Sequence, residues 1–206
     1  MIDGRARALA SFGIVAQVVW VASWAIEGER VAGYDWTDDF ISELAATGAS
    51  TASVMVPAFI VAGLGTIASG VALRLTTDPR AVPALMVFAG VAAIGAGLFR
   101  CDPGCRAIGD RSTESVIHTL TSVGYFVGVI AAALLVAAAR RHDAPAYAAY
   151  SLTSGIVAAV TFALIGTFDG DPGTGLVQRI SVVVLSVWTV VASTRIITAQ
   201  SVDAAA

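Results

Sequence analysis

Charged residues are scarce in this chain of 206 residues. They make up 13% of the sequence, whereas hydrophobic residues make up 57%, and the mean hydropathy is +0.81. So few polar side chains cannot cover the surface of a fold in water, which excludes an ordinary soluble domain. The twelve basic residues are dispersed arginines and the net charge is −3, so there is no basic stripe to neutralise a phosphate backbone. We therefore expect no nucleic-acid partner.

Histidine and cysteine are also rare, with two of each. A bis-histidine haem site in a membrane needs paired histidines within the apolar segments, and the sequence has no such pair. The Walker and Rossmann glycine loops and the HExxH pattern are missing as well. The sequence therefore predicts no cofactor and no metal site of these classes.

Long apolar runs are what the sequence has in abundance. A helix needs roughly twenty apolar residues to span about 30 Å of hydrocarbon, because without water every backbone amide must bond within the segment. Six stretches meet this requirement, approximately residues 8–26, 53–75, 81–99, 115–139, 147–168 and 176–197. The first could be a secretory signal behind Arg5 and Arg7, but it is longer than the usual apolar core of a signal. We predict an all-α integral membrane bundle of six transmembrane helices that forms one domain over residues 1–206.

Glycine and alanine recur inside these stretches, where small residues let helices approach closely in lipid. Such faces run over residues 63–70, 90–97 and 124–128. Gly124 and Gly128 have the GxxxG spacing, which is a weak signal for dimerisation and more often serves packing within one bundle.

The arginines are distributed unevenly between the two sides of such a bundle. The side with both termini and the even-numbered loops carries seven arginines against four acids, a net charge of +3. The side with the first, third and fifth loops carries five arginines against eleven acids, a net charge of −6. Because positively charged short loops stay inside the cell, we predict cytoplasmic N- and C-termini and a location in the plasma membrane. The outward loops are longer and more polar, so we expect any functional site there.

The first outward loop predicts a short helix that starts at Thr37 and stops at Gly48. Threonine can cap a helix, the two aspartates that follow suit its positive end, and glycine suits its stop. As a lid, this helix would deliver Ser42 and Glu43 to a site; alternatively it packs for stability alone. Its apolar face would lie on the membrane surface or fold over the mouth of the bundle, and consists of Phe40, Ile41, Leu44 and Ala45.

The third loop contains the two cysteines, Cys101 and Cys105, on either side of an Asp-Pro-Gly turn. Proline presets one backbone angle of such a turn and glycine accepts the positive one, so cysteines four positions apart can come within bridging distance. On an oxidising outer face we expect a disulfide. Free thiols and a metal site that adds Asp102 and His118 are the alternatives, although the cysteine spacing is not that of a standard zinc site.

His118 lies one turn inside the predicted fourth helix, with Glu114 four residues before it and Ser122 four residues after it on the same face. An imidazole oriented by a carboxylate and facing a polar cavity can act as a general base or acid. The alternative is a histidine that Glu114 satisfies and that helps to pack the loops. His142, in a cytoplasmic turn after two arginines, has no predicted role beyond the membrane interface.

The fifth loop repeats the pattern of the third. Residues 168–173 and 99–104 both read Phe-x-x-Asp-Pro-Gly, which suggests a duplication of two helical hairpins. Thr174 can cap the sixth helix and places Gln178 and Arg179 in its first two turns. An arginine there opposes the helix dipole and needs a partner, which would make a clasp between loops or hold the arginine ready for an anionic headgroup. The candidate partners are Asp102, Asp169, Asp171 and Glu43.

Four motifs in order give the chain a resemblance to a known family. They are Ile41-Ser-Glu-Leu44, the Cys101-Asp-Pro-Gly104 turn, His118, and Gly175-Leu-Val-Gln-Arg179. With them the chain resembles, over nearly its whole length, the prokaryotic membrane family catalogued as domain of unknown function 998. That resemblance implies a six-helix fold and brings no activity with it. The first loop is similar, more distantly, to that of the eukaryotic six-helix family that includes GPI-lipid remodelling factors, but residues 49–52 read Ala-Ser-Thr-Ala where that family has a proline–glutamate pair.

The predicted helix ends bring polar residues from three loops to one mouth. Our leading hypothesis is a membrane protein that binds, or chemically modifies, a lipid or other amphipathic molecule at the outer face. The candidate catalytic residues are His118 as base, Ser42 (or a water) as nucleophile, and Glu43. Asp102, Gln178 and Arg179 are the candidate ligand-binding residues, with Arg179 as headgroup anchor.

Two other classes of function stay open at this point. A small transporter or channel would need polar groups at mid-membrane, where Gln17 and a few serines and threonines are the main ones. A non-catalytic assembly or sensing partner would use the outward loops to dock another protein.

Overall fold

The computed structural model describes residues 4–76, 80–106, 109–168 and 171–203. All six α-helices of this part of the chain are long and apolar enough to cross a membrane, which confirms the predicted all-α class. Their bounds agree with the predicted ones to within a few residues, although the first and last helices extend further at both ends. The helices are α1 (Gly4–Arg30), α2 (Ala52–Thr76), α3 (Ala81–Leu98), α4 (Thr113–Arg140), α5 (Pro145–Phe168) and α6 (Thr174–Asp203), and a 3-10 helix covers Ile41–Ala45.

The six helices close into a ring. Each helix packs beside the next one in sequence, and α6 returns to pack against α1. Residues 31–51, 99–106, 109–112 and 171–173 lie at one end of the ring, which we call the long-loop end. The start of α1 and the end of α6 lie at the other, which we call the termini end. Across the ring α2 touches α6, whereas α4 and α6 make little contact, which leaves room inside.

Both Asp-Pro-Gly segments form the expected tight turns. The amide of Cys105 donates to the carbonyl oxygen of Asp102 at 2.9 Å, and the amide of Thr174 donates to that of Asp171 at 3.2 Å. The glycines of the two turns have φ angles of +85° and +92°, a conformation that glycine adopts without steric cost. The Asp-Pro-Gly part of the repeated sequence pattern is therefore a repeated turn, and the second turn leads directly into α6.

Small residues bring neighbouring helices close together. A Cβ atom placed on Gly90 of α3 would lie 2.5 Å from the carbonyl oxygen of Gly63 on α2. On α4, a Cβ atom placed on Gly128 would lie 2.9 Å from the Cβ atom of Ala89 on α3. The GxxxG face of α4 thus packs inside the bundle, as the commoner use of this motif suggests.

The polar side chains at mid-membrane join helices to one another. The amide nitrogen of Gln17 donates to the hydroxyl of Thr66 at 3.2 Å, which connects α1 with α2. The hydroxyls of Ser69 and Ser193 lie 2.9 Å apart and connect α2 with α6. All four side chains are buried. Because bonds of this kind contribute on average about 0.6 kcal/mol to helix association in membranes, they give Gln17 a role in packing.

The glycine contact between α2 and α3 predicts that alanine destabilises the protein at Gly90 but not at a glycine without close neighbours. Gly90→Ala forces the two backbones apart and should lower the free energy of unfolding by about 1–3 kcal/mol, as overpacking does. Gly166→Ala on α5, where an added Cβ atom meets nothing within 4 Å, is the matched control and should not destabilise the protein. Unfolding of the purified protein in detergent measures both, and equal stability of the two variants would contradict the close crossing.

Candidate functional site

Residues 31–51 fold over the long-loop end of the bundle, and we call this segment the lid. Its four predicted apolar residues are buried at 6% exposure or less, so the lid covers the mouth of the bundle and does not lie on the membrane surface. The predicted helix start is wrong, because the hydroxyl of Thr37 bonds the carboxylate of Asp35 at 2.6 Å within a turn. The 3-10 helix begins only at Ile41. The Gly48 position is a turn with a φ angle of +87°.

The beginning of α6 holds the lid in place. The side-chain oxygen of Gln178 accepts a hydrogen bond from the amide of Ile41 at 2.7 Å. The carboxylate of Asp38 accepts one from the amide of Gly173 at 2.9 Å. A backbone bond of 2.8 Å from the amide of residue 176 to the carbonyl of residue 37 lies between them. These bonds fix the lid over the ring from one side.

Arg179 is a further attachment of the lid and is only 6% exposed. It donates to the carbonyl oxygen of Asp39 at 2.8 Å and to the hydroxyl of Tyr34. Its guanidinium carbon lies 5.0–5.8 Å from the ring centroids of Trp24, Tyr34 and Trp36. Such cation–π contacts contribute about 2 kcal/mol when desolvated. The expected clasp between loops is thus present, but a backbone carbonyl and a phenol take the place of the expected carboxylate.

Tyr34, which accepts a hydrogen bond from Arg179, is itself partly buried, and this burial sets its protonation state. Burial raises the pKa of Tyr34 to about 12, and the neighbouring guanidinium offsets only part of this effect. The phenol therefore keeps its proton, which it donates to the carbonyl oxygen of Phe40 at 3.0 Å. Asp169, one of the expected partners of Arg179, lies outside the described residues.

Glu43 lies on the lid but away from His118. Its carboxylate accepts a hydrogen bond from the amide of Phe40 at 3.0 Å, and burial raises its pKa. With Tyr34 and Asp39 it lines a polar pocket of about 210 Å³. The residues around this pocket do not include those around the cavity that contains His118. The structure therefore does not bring the predicted Glu43 and His118 into one site.

The third loop is braced by the expected disulfide between Cys101 and Cys105, whose Cα atoms lie 5.1 Å apart. The carbonyl oxygen of Cys101 accepts a bond of 2.9 Å from the amide of Thr47, which ties this loop to the lid. Asp102 accepts bonds of 2.8 Å from both the amide and the hydroxyl of Ser112, and these bonds lower its pKa. Asp102 thus supports the residue that caps α4.

His118 is held by the end of α3. Its Nδ1 atom lies 2.8 Å from the carbonyl oxygen of Ala96 and 2.9 Å from that of Phe99. Carbonyls in the last turn of a helix have no partner within the helix, so the histidine satisfies them. Only a protonated Nδ1 can serve two acceptors, which leaves the lone pair of a neutral imidazole on Nε2. The hydroxyl of Ser122 lies 3.4 Å from Nε2.

Two interpretations of His118 from the sequence are therefore wrong. Glu114 does not orient the ring, because its carboxylate accepts a bond from the amide of Arg100 at 3.1 Å while backbone carbonyls hold the imidazole. The alternative metal site also fails, since its two cysteines form a disulfide and Asp102 bonds Ser112. Within the described ranges no three histidine, cysteine or acidic residues are grouped to hold a metal ion.

A cavity of about 300 Å³ lies beneath the lid, between α4, α5 and the start of α6. Its stacked rings Phe126 and Phe162, with centroids 4.9 Å apart, join α4 to α5. A smaller space of about 50 Å³ further into the ring shares four of its lining residues. The polar lining comprises Ser42, His118, Thr119, Ser122 and Gln178, and the apolar lining includes Phe40, Val123, Phe126, Phe162, Ala163 and Ile165.

Of the six polar residues predicted to converge, Ser42, His118 and Gln178 line this cavity. Sequence reasoning missed Thr119, Phe126 and the whole α5 wall. The cavity-lining residues of α4 lie one, four, five and eight residues after His118, and are Thr119, Ser122, Val123 and Phe126. Helical periodicity applied from His118 could therefore have found them. The α5 wall is apolar and carries no comparable signal.

The six apolar helices and the partly polar cavity beneath the lid make this protein a multi-pass helical membrane protein with a covered cavity at one end. Within that class, residues 14–195 match the family model described as "Protein of unknown function (DUF998)", and the chain belongs to this family. No curated protein and no solved structure matches the chain.

The role of Arg179 as a clasp makes a prediction about the lid. Arg179→Gln removes charged hydrogen bonds that contribute about 1.5–3 kcal/mol, so opening of the lid should become at least about tenfold more frequent. Chymotryptic cleavage near Tyr34 and Trp36 in the purified protein reports this opening. Arg179→Lys, which keeps the charge but not the fork of donors, should give an intermediate rate.

The control for this experiment is Arg74→Gln, at an exposed arginine in the last turn of α2. It should leave the cleavage rate unchanged. Wild-type cleavage rates in Arg179→Gln would show that the lid is held by other contacts.

Proposed function

We propose that this protein binds an amphipathic molecule with an acyl chain, of the kind found in membrane lipids, in the cavity beneath the lid. The carrying observation is the lining of that cavity. Among the described residues that line it, the lid, α4 and α6 supply polar side chains, α4, α5 and Phe40 of the lid supply aromatic and aliphatic ones, and His118 is the one ionisable side chain. A volume of about 300 Å³ lies at the lower end of the range for ligand pockets.

The depth of the cavity in a bilayer supports a lipid ligand. At 1.5 Å per residue α4 is about 42 Å long, which matches a bilayer of roughly 40–45 Å with its headgroup regions. His118 lies about 8 Å and Ser122 about 14 Å along α4 from Thr113. With about 30 Å of hydrocarbon, His118 falls near the boundary between headgroups and hydrocarbon, and Ser122 lies one helical turn deeper, among the first part of the acyl chains. A lipid in the adjacent leaflet presents its polar linkages near the level of His118.

Access from the membrane is the natural route for such a ligand. Val123 on α4 is 39% exposed, and Ala163 and Gly166 on α5 are also exposed, although all three line the cavity. In a bilayer these residues face lipid, so an acyl chain reaches the cavity between the two helices. Arg111 donates to the hydroxyl of Thr119 at 3.2 Å and thereby places a cation beside the cavity. Arg111 suits an anionic headgroup better than Arg179, which the lid and its aromatic rings enclose.

The same proposal places the long-loop end outside the cell and the protein in the plasma membrane. The net charges of +3 on the termini side and −6 on the long-loop side support this orientation. The disulfide at the long-loop end supports it independently, since disulfides persist on oxidising faces.

A bulky substitution that fills the opening between α4 and α5 tests the binding site. Ala163→Trp fills the opening, whereas Leu164→Trp changes the neighbouring lipid-facing residue and is the matched control. Purified protein in phosphatidylcholine nanodiscs is photo-cross-linked to a diazirine-labelled diacyl phospholipid. Cross-links to residues 119–126 should fall at least tenfold in Ala163→Trp and stay at wild-type yield in Leu164→Trp. Equal yields in both variants would contradict the cavity as the binding site.

Orientation is tested with two cysteines introduced beside the intact disulfide. Ala32→Cys lies at an exposed position of the lid, and Ala146→Cys lies at an exposed position in the first turn of α5, at the termini end. A membrane-impermeant maleimide should label Ala32→Cys in intact cells, and Ala146→Cys only after permeabilisation. The opposite labelling pattern would show that the long-loop end faces the cytoplasm, which would place the cavity in the cytoplasmic leaflet.

A further inference from the structure

We propose that Ser122 and His118 form a nucleophile–base pair that takes an acyl group from an ester in the cavity. This inference rests on the proposed function, because the acyl ester is the ligand proposed there. It replaces Ser42, the nucleophile expected from the sequence, with a serine one helical turn from the histidine. Both members of the pair line the cavity.

The histidine is arranged as a base. Two backbone carbonyls bind Nδ1 at 2.8 and 2.9 Å, so the ring is fixed and its free lone pair lies on Nε2. In serine hydrolases a carboxylate performs this orienting role. The carbonyls of Ala96 and Phe99 perform it here without placing a second charge in the membrane, where an unpaired charge is costly.

The serine is within reach of that base. The Ser122 hydroxyl lies 3.4 Å from Nε2, slightly longer than a formed nucleophile–base hydrogen bond of about 2.6–3.2 Å, and such bonds often tighten only when substrate binds. Ser122 also lines both the larger cavity and the smaller space further into the ring. A carbonyl carbon held in the cavity can therefore approach the hydroxyl from the side opposite His118.

Gln178 supplies a donor for the oxygen of the reacting carbonyl. Its side-chain oxygen already accepts the amide of Ile41, so the amide nitrogen is the end left to donate. Gln178 lines both spaces together with Ser122. A preorganised donor at this place stabilises the negative charge that develops on the oxygen.

The reaction balances without any cofactor. The Ser122 oxygen attacks the ester carbonyl carbon while its proton moves to Nε2 of His118. The carbon–oxygen bond to the alcohol then breaks, and the alcohol leaves with that proton, which gives an acyl ester on Ser122. Water or a second alcohol then attacks this ester and gives its proton to His118. The bond between the acyl carbon and the Ser122 oxygen breaks, and Ser122 takes that proton. The products are the released alcohol and a fatty acid or a new ester, and Ser122 is regenerated.

A long-chain alkyl fluorophosphonate tests the pair, because it phosphonylates a serine only when a base activates it. Purified full-length protein in nanodiscs should gain one phosphonyl group, and peptide mass spectrometry should locate it on Ser122. Ser122→Ala should abolish labelling, and His118→Gln should slow it about 100-fold or more. Ser53→Ala, at an exposed serine of α2, should label at the wild-type rate.

The phospholipid cross-linking described above distinguishes catalysis from binding. Ser122→Ala and His118→Gln should still cross-link the phospholipid well above the level of Ala163→Trp, which also shows that both variants fold. Wild-type protein that cross-links lipid but is never phosphonylated would overturn the nucleophile–base pair and leave the binding site standing. Phosphonylation of Ser42 in place of Ser122 would overturn it as well. Failure of both experiments would remove the proposed function itself.

Discussion

The attachment of the lid to the first two turns of α6 is the interaction on which the site depends. Gln178 and Arg179 bond the backbone of the lid on either side of Phe40. Water would compete with these bonds at an open surface, but the aromatic rings around Arg179 exclude it. Because the lid is fixed, its buried face roofs the ring of helices, and the gap between α4 and α6 becomes a cavity.

The polar residues at the long-loop end divide into two groups with different work. Asp102, Glu43 and Arg179 bond backbone or neighbouring side chains and hold the loops in shape. His118 faces the cavity with one ring nitrogen and the end of α3 with the other. The charged side chains of the first group stabilise the loops near water. Near the hydrocarbon, His118 is the ionisable side chain that faces the cavity. That division matches the low charge content of the whole chain.

The fold and part of the site could be predicted from sequence, and the reasons are physical. Apolar length alone defines a membrane helix, and the Asp-Pro-Gly turn brings Cys101 close to Cys105, so both features are local. The partners of His118 are carbonyls 22 and 19 residues away, in the last turn of α3 and directly after it, which no spacing rule reveals. The helix expected from Thr37 failed because its hydroxyl finds Asp35 two residues before it, a competing local bond.

If the cavity under the lid holds an acyl chain, a structure of the protein in lipid nanodiscs should show it. We expect elongated density that passes between α4 and α5 beside Phe126 and Phe162 and ends within hydrogen-bonding distance of Ser122. Density for ordered water alone, or α4 and α5 closed on each other with no space between these rings and the lid, would contradict it.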